Sequence, residues 1–402
     1  MARLCLLPPR RNQQVTQRKS LCAAAVAIAL VSGSAFATNG YFAHGYGTKN
    51  KGMAGAGVAL PQDAMAAATN PAGMVHVGDR MDVGIELFSP RRTATLPPNF
   101  FGPGYPGATA DSEEELFLIP HFAYNKMLDD SRAIGIAVYG NGGMNTTYRA
   151  ADIMAPGDLG VDLMQLFITP TYSMKVSDKT SIGVSAMIAA QRFAAHVGGP
   201  NSNFDYSYGI GARLGLLTQV TDSITFGAAL TSRTYMSEFD DYNWLFAEQG
   251  DFDIPANATI GVAIKANAKT TIAADVQHIW YSQVDAIAND MTAPESGFGW
   301  DDMTIVKLGA EYAYSNDLTL RAGISHGKQP ISSSQTAQNW LAPATIETHI
   351  TIGGTKKLDK DSELSFAAMY APKKSITGTG MSTGANIEMS QFDLEVSYGT
   401  TW

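Results

Sequence analysis

The stretch Tyr206–Glu238, YSYGIGARLGLLTQVTDSITFGAALTSRTYMSE, decides how this chain reads. Two segments with period-two patterning, Tyr206–Val220 and Ser223–Glu238, are separated by Thr221-Asp222 alone. In the second, Ile224, Phe226, Ala228 and Leu230 share a face, as alternate residues of a strand do. Asp and Thr suit a tight hairpin, because their side chains bond the backbone two residues on. After Glu238 comes a long connection, Phe239–Asp253, before the next strand-like segment.

The same rhythm runs outward in both directions. Before it lie Asp79–Ser89, Leu116–Lys126, Arg132–Met144, Asp162–Val176 and Lys179–Val197. After it lie Ile254–Ala266, Thr270–Ala286, Asp301–Ser315, Asp317–Gly327, Thr345–Leu358, Ser362–Ser375 and Glu388–Trp402. Each even-numbered segment ends in a few polar residues, and each odd-numbered one in a longer loop. Fourteen antiparallel strands with tight turns at one end and long loops at the other make an outer-membrane β-barrel. A soluble sandwich would use strands of about five or six residues and would not sort its loops by length. The final segment puts Phe392, Leu394, Val396, Tyr398 and Trp402 on one face. It resembles the C-terminal segment by which outer-membrane proteins reach their assembly machinery, with Thr400 interrupting it.

Residues 1–37 read as a secretory signal: basic Arg3, Arg10, Arg11, Arg18 and Lys19, an apolar run Leu21–Val31, and Ala35-Phe36-Ala37 before the cut. The apolar run is too short to span a bilayer core of about 30 Å. Both cysteines, Cys5 and Cys22, fall in this leader, so the expected mature chain holds no disulfide and no cysteine-ligated metal. Without the five basic leader residues, 23 cationic side chains face 37 acidic ones, a balance of −14. That opposes nucleic-acid binding, which needs a basic footprint.

Residues 38–78 lack strand periodicity and are crowded with glycine and alanine, yet they include Tyr41, Phe42, Met53, Val58, Leu60, Met65 and Met74. A solvated tail is poorer in such residues. Asp63 suits the cap of a short helix through Ala68, and Asn70-Pro71 gives a cap followed by proline at the first helical position. A compact segment of this kind before the first strand is expected to fold back and plug the barrel. The domain reading is therefore a signal at 1–37, a hatch at 38–78 and a barrel at 79–402.

The run Gly52-Met53-Ala54-Gly55-Ala56-Gly57-Val58-Ala59, then Asp63-Ala64, then Asn70-Pro71-Ala72-Gly73, resembles the hatch of the FadL-type outer-membrane transporters of long-chain fatty acids and, in some members, aromatic hydrocarbons. The resemblance implies passive uptake: capture outside, an internal apolar pocket, a hatch turn at Asn70, Pro71 and Ala72, and sideways exit where the third strand kinks. Gly140-Asn141-Gly142-Gly143 lies at the matching position. Glycine clusters mark either a bulge within a strand or the place where it ends. Arg192 lines up with a basic pocket residue of the family, and its fork suits a carboxylate or a lipopolysaccharide phosphate at the rim. A second basic residue of the family is replaced by Asp301 or Asp302. Trp244 and Phe246, in the fourth long loop, are candidates for the capture patch, for an interfacial girdle or for loop packing.

Nothing in the sequence resembles a catalytic constellation. The seven histidines are scattered without metal-ligand spacing, and Ser185, in Gly183-Val184-Ser185-Ala186, lacks the second glycine of a nucleophile elbow. The expectations are no cofactor, no metal and no enzymatic activity, with hydrophobic small molecules as cargo. Lipopolysaccharide, membrane lipid and the barrel assembly machinery are the partners, and the chain acts as a monomer in the outer membrane of a Gram-negative cell. A barrel hydrolase and a general porin are the rival readings.

Overall fold

The computed structural model describes residues 39–402 apart from Asn201, Met291 and Ser296, so the leader at 1–37 lies outside the described residues. Fourteen strands form the wall in chain order. They are β1 (Arg80–Leu96), β2 (Phe117–Asp129), β3 (Arg132–Tyr148), β4 (Leu159–Lys175), β5 (Thr180–His196), β6 (Asp205–Gln219) and β7 (Ile224–Thr231). Then follow β8 (Asn257–Lys265), β9 (Thr270–Ile279), β10 (Met303–Ala313), β11 (Leu318–His326), β12 (Thr348–Lys357), β13 (Ser362–Thr377) and β14 (Asn386–Thr401). Each pairs antiparallel with the next, and β14 returns to β1 from Arg80↔Thr401 to Thr95↔Asn386, which closes the sheet. Two short pieces ride on the wall: Ala108–Asp111 folds back on the outer end of β1, and Tyr235–Met236 adds to β6.

The faces are those of a barrel in lipid. Along β14, Phe392, Leu394 and Val396 point outward, 43%, 45% and 50% exposed, whereas Gln391, Asp393 and Glu395 point inward at 1%, 0% and 1%. A soluble protein would place these two sets the other way round. An outward apolar band around a polar interior needs hydrocarbon as its solvent. At four of the tight ends, a turn side chain accepts from a nearby backbone N–H. Asp129 accepts from Ser131 N at 2.9 Å, Thr221 from Ile224 N at 3.0 Å, Asn267 from Lys269 N at 2.9 Å and Asp359 from Asp361 N at 2.8 Å.

Two strands stop short of expectation. The seventh, expected to Glu238, ends at Thr231, and the ninth, expected to Ala286, ends at Ile279. Past Ile279, Tyr281, Val284 and Ile287 are buried in the apolar core of the interior, and short helical turns carry them there. Period-two reading follows the wall and does not register a chain that leaves it.

Residues 39–78 fill the bore. Asn70 caps the turn Pro71–His76 as expected, accepting from Ala72 N at 3.1 Å, and Asp63 accepts from Met65 N at 3.0 Å. The wall receives this segment on glycines. A Cβ at Gly215 would lie 2.2 Å from Asn70 Oδ1, at Gly183 2.4 Å from the Pro71 backbone, and at Gly323 2.3 Å from the Met53 backbone. Strand glycine here marks close approach of another backbone, not a weak strand.

Candidate functional site

The glycine cluster of β3 is a bulge inside a continuing strand. Against β4, Gly140 pairs with Leu166 and Gly142 with Gln165, so Asn141 is the extra residue. Before it, odd-numbered residues such as Ala137 and Tyr139 face inward; after it, even-numbered Met144 and Tyr148 do. Asn141 itself is buried. Its Oδ1 accepts from Tyr46 OH at 2.8 Å and its Nδ2 donates to Gln165 Oε1 at 3.0 Å. Gln165 donates to Gln191 at 3.1 Å, and Gln191 to the Phe252 carbonyl at 2.8 Å. The side-chain amides of Asn141, Gln165 and Gln191 are thus bonded in series, as burial requires.

The bulge also breaks the wall. Pairing of β2 with β3 ends at Phe122↔Val138, and the next backbone bond between these neighbouring segments is Glu113 N to Thr147 O at 2.9 Å. Between them the edge of β3 is covered from inside by the hatch segment. Phe42 bridges Gly142, Ala43 N donates to Asn141 O at 2.9 Å, and Gly143 N donates to Tyr41 O at 3.3 Å. A strand edge left bare in lipid would cost several kcal/mol per unpaired group, so this cover is a structural necessity. Pro120, on the β2 side of the gap, needs no N–H partner, which is the context in which a strand tolerates proline. On the outside the gap meets a groove of about 570 Å³ whose lining includes Leu116, Leu118, Asn145, Asp162, Arg192 and Phe204.

An unbroken series of rings leads from the outer loops to this seam. Phe246 lies 4.7 Å from Phe193 and 4.9 Å from Phe252; Phe252 lies 6.2 Å from Tyr41, and Tyr41 5.3 Å from Phe42, the residue that bridges Gly142. Tyr281 and Trp300 flank Tyr41 at 5.5 and 6.0 Å. Tilted and edge-on rings at these spacings are favourable aromatic geometry.

The buried cations among the described residues are already engaged. Lys51 pairs with Glu395 at 2.9 Å and with Glu86, Lys49 with Glu363 at 2.5 Å, and Arg80 with Asp82 at 2.6 Å. Arg213 donates to Thr231 at 2.8 Å and to the Ala68 carbonyl, Lys307 to the His44 carbonyl at 3.1 Å, and Arg321 to Gln62 at 2.7 Å. Arg92 holds the carbonyls of Asn145 and Glu114.

The expected site residues therefore do not come together in one place. Asn70, Pro71 and Ala72 sit deep in the hatch, where Asn70 Nδ2 ties Val58 O at 2.7 Å to Leu216 O of β6 at 2.9 Å. Gly140, Asn141, Gly142 and Gly143 form the bulge at the seam. Phe246 is buried at the outer end of the ring series, while Trp244 lies over Gly199 at the surface, 38% exposed, its indole N–H bonded to Asp241 O at 3.1 Å. Arg192 points away from the bore, on the face that carries Ile188 and Tyr206, 3.2 Å from Asp162 and over the Phe204 ring at 4.3 Å. Strand parity alone predicts this, because Ser185, Met187, Gln191 and Phe193 all face inward. Tyr41, Phe42, Phe252 and Tyr281 are not among the site residues expected from the sequence. The stretch around Tyr41 and Phe42 had a visible signal, two bulky rings in a run of small residues.

The chain matches, over residues 28–399, the family described as outer membrane protein transport protein (OMPP1/FadL/TodX). It belongs to that family. Among solved structures, it is similar to the Pseudomonas putida toluene transporter TodX, with 20% identity, 89% of this chain and 99% of that one covered, and a TM-score of 0.70. The Ralstonia pickettii toluene transporter TbuX is 19% identical over 89% of this chain and 99% of its own, with a TM-score of 0.65. A Pseudomonas aeruginosa FadL homologue is 14% identical over 90% and 99%, with a TM-score of 0.66. These structures share the fold, and no match was found among curated proteins. The protein is an outer-membrane transport barrel.

Proposed function

We propose that this transporter carries neutral hydrophobic compounds, with ring-sized hydrocarbons preferred over long-chain fatty acids, and releases them sideways through the β2–β3 seam. The observation that carries this reading is the ring series ending at the bulge, in a bore whose buried cations are already bonded. A carboxylate on that track would have to be desolvated and would have to displace these existing bonds to reach a cation, at a cost of several kcal/mol. An apolar molecule gains roughly 0.8 kcal/mol for each buried methylene along the same route. What supports sideways exit is that residues 41–43 stand behind the unpaired stretch between β2 and β3. Fatty acids remain the second reading, favoured by Arg192 in the outer groove, where a carboxylate would meet a cation after leaving the bore.

In this reading, residues 38–78 act as the hatch and 79–402 as the barrel, after removal of a signal at 1–37. Lipopolysaccharide around Arg192, the assembly machinery at the C-terminal strand, a monomeric state and the lack of any enzymatic role belong to the same proposal. The test is uptake of radiolabelled toluene and oleate by cells that depend on this protein. Faster toluene uptake, reduced when Tyr41 is replaced by Ala, supports it. Oleate uptake alone, unaffected by Tyr41→Ala, contradicts it.

A further inference from the structure

The ring series just described begins inside the loops, since Phe246 is buried, so a molecule arriving from water needs an exposed place to land first. The outer surface offers one, far along the chain from Trp244. The loop 97–107, between β1 and its short return strand, reads PPNFFGPGYPG and holds its shape by its own bonds. Asn99 N donates to Tyr105 O at 2.7 Å, Gly102 N to Asn99 O at 3.0 Å, and Gly104 N to the Asn99 side chain at 3.0 Å. Four prolines and three glycines set its turns, and the glycines at 102, 104 and 107 all have positive φ. Such a loop loses little conformational entropy when something binds to it.

Three rings stand on this loop. Phe101 lies 5.0 Å from both Phe100 and Tyr105, and Phe100 and Phe101 lie 6.1 and 6.2 Å from Trp340, which arrives on the loop between β11 and β12. Phe101 is 43% exposed, whereas Trp340 is 6% exposed. The cluster continues into the bore: Trp340 meets Tyr148 at 5.2 Å, and Tyr148 OH donates to Trp340 O at 2.8 Å. Tyr148 is an inward residue of β3, on the same face as Met144 and Gly142. A rigid, uncharged ring platform at the surface is thus joined to the strand whose bulge forms the seam.

We propose that Phe100, Phe101 and Tyr105, backed by Trp340, form the outer capture site for neutral aromatic molecules. This deepens the transport reading above and rests on it for the identity of the cargo class. A benzene-sized ring sits edge-on against Phe101 and passes between Trp340 and the loop toward Tyr148.

The test uses outer-membrane vesicles holding the full chain, labelled by light with a diazirine-substituted benzene and analysed by peptide mass spectrometry. Labelling concentrated on residues 97–107 and on the Trp340 peptide, suppressed by excess toluene and lowered at least fivefold in Phe100→Ser/Phe101→Ser, is the expected result. In cells, the same variant should raise the half-saturation concentration for toluene three- to tenfold while its saturating rate stays within twofold. Labelling spread evenly over all outer loops, or an unchanged half-saturation concentration, overturns the capture site even if transport is intact. A light-induced cross-linked dimer instead of labelled loop peptides gives the patch to a second copy and overturns it too. Labelling at the loop in a protein that takes up no toluene would keep the site and defeat the transport reading instead.

Discussion

Gly142 carries the geometric demand on which the seam depends. A methyl group there would lie 2.0 Å from Tyr41 O, so even alanine forces the hatch segment off the β3 edge. Overpacking of this order costs about 1–3 kcal/mol. In Gly142→Ala the amides of Ala43 and Gly143 should exchange with solvent roughly tenfold faster or more, while the rest of β3 keeps its protection. Unchanged exchange at both amides would mean that Tyr41–Ala43 do not latch the bulge. Asn70 is the corresponding residue in the hatch. Asn70→Ala removes the cap on Ala72 and strands the Val58 and Leu216 carbonyls in a buried site. The loss is about 2–4 kcal/mol. It falls on the seating of the hatch, so uptake should fall although the barrel still assembles, as heat-modified gel migration would report.

At the scale of elements, the loop after β7 has a pH response built into it. Burial, then the hydrogen bond and charge of Asp253, push the Asp251 carboxyl up to about 7, while Arg233 at 3.5 Å works against them. A raised carboxyl pKa means that the folded loop favours the protonated form. Its stabilisation is complete at acid pH and is lost as pH rises through about 7. Phe252 lies between these two aspartates, so loosening the loop loosens the ring series. Proteolysis within Phe239–Asp253 should therefore quicken between about pH 4 and pH 7 and level off above it, and Asp251→Asn should abolish the change; a cleavage rate that does not move with pH would refute it. The strands themselves were legible in the sequence, because alternation and Asp- or Thr-led turns are local. What escaped was non-local. The seam depends on a register change opposite β2, and the exit of residues 280–288 from the wall follows inward burial of Tyr281; the outward direction of Arg192, by contrast, is a local consequence of its parity in β5.

As a whole, the molecule places apolar residues outside and charges inside, and it fills that polar bore with a segment held by ion pairs and glycine seats. A bore closed in this way should give no stable porin-sized conductance in planar bilayers; steady channels of that size would favour the general porin. The chain carries no cysteine after residue 22, so introduced pairs can be read without interference from the barrel. Ala43 and Asn141 stand next to the Phe42–Gly142 bridge and share the hydrogen bond from Ala43 N to Asn141 O at 2.9 Å. Cysteines at these two positions, Ala43→Cys/Asn141→Cys, would therefore staple the latch to the bulge. The most direct measurement is toluene uptake by this double variant, oxidised and then reduced. Lateral release through the seam predicts that oxidation stops uptake and that reductant restores it; uptake that continues at the same rate with the disulfide formed would contradict the account.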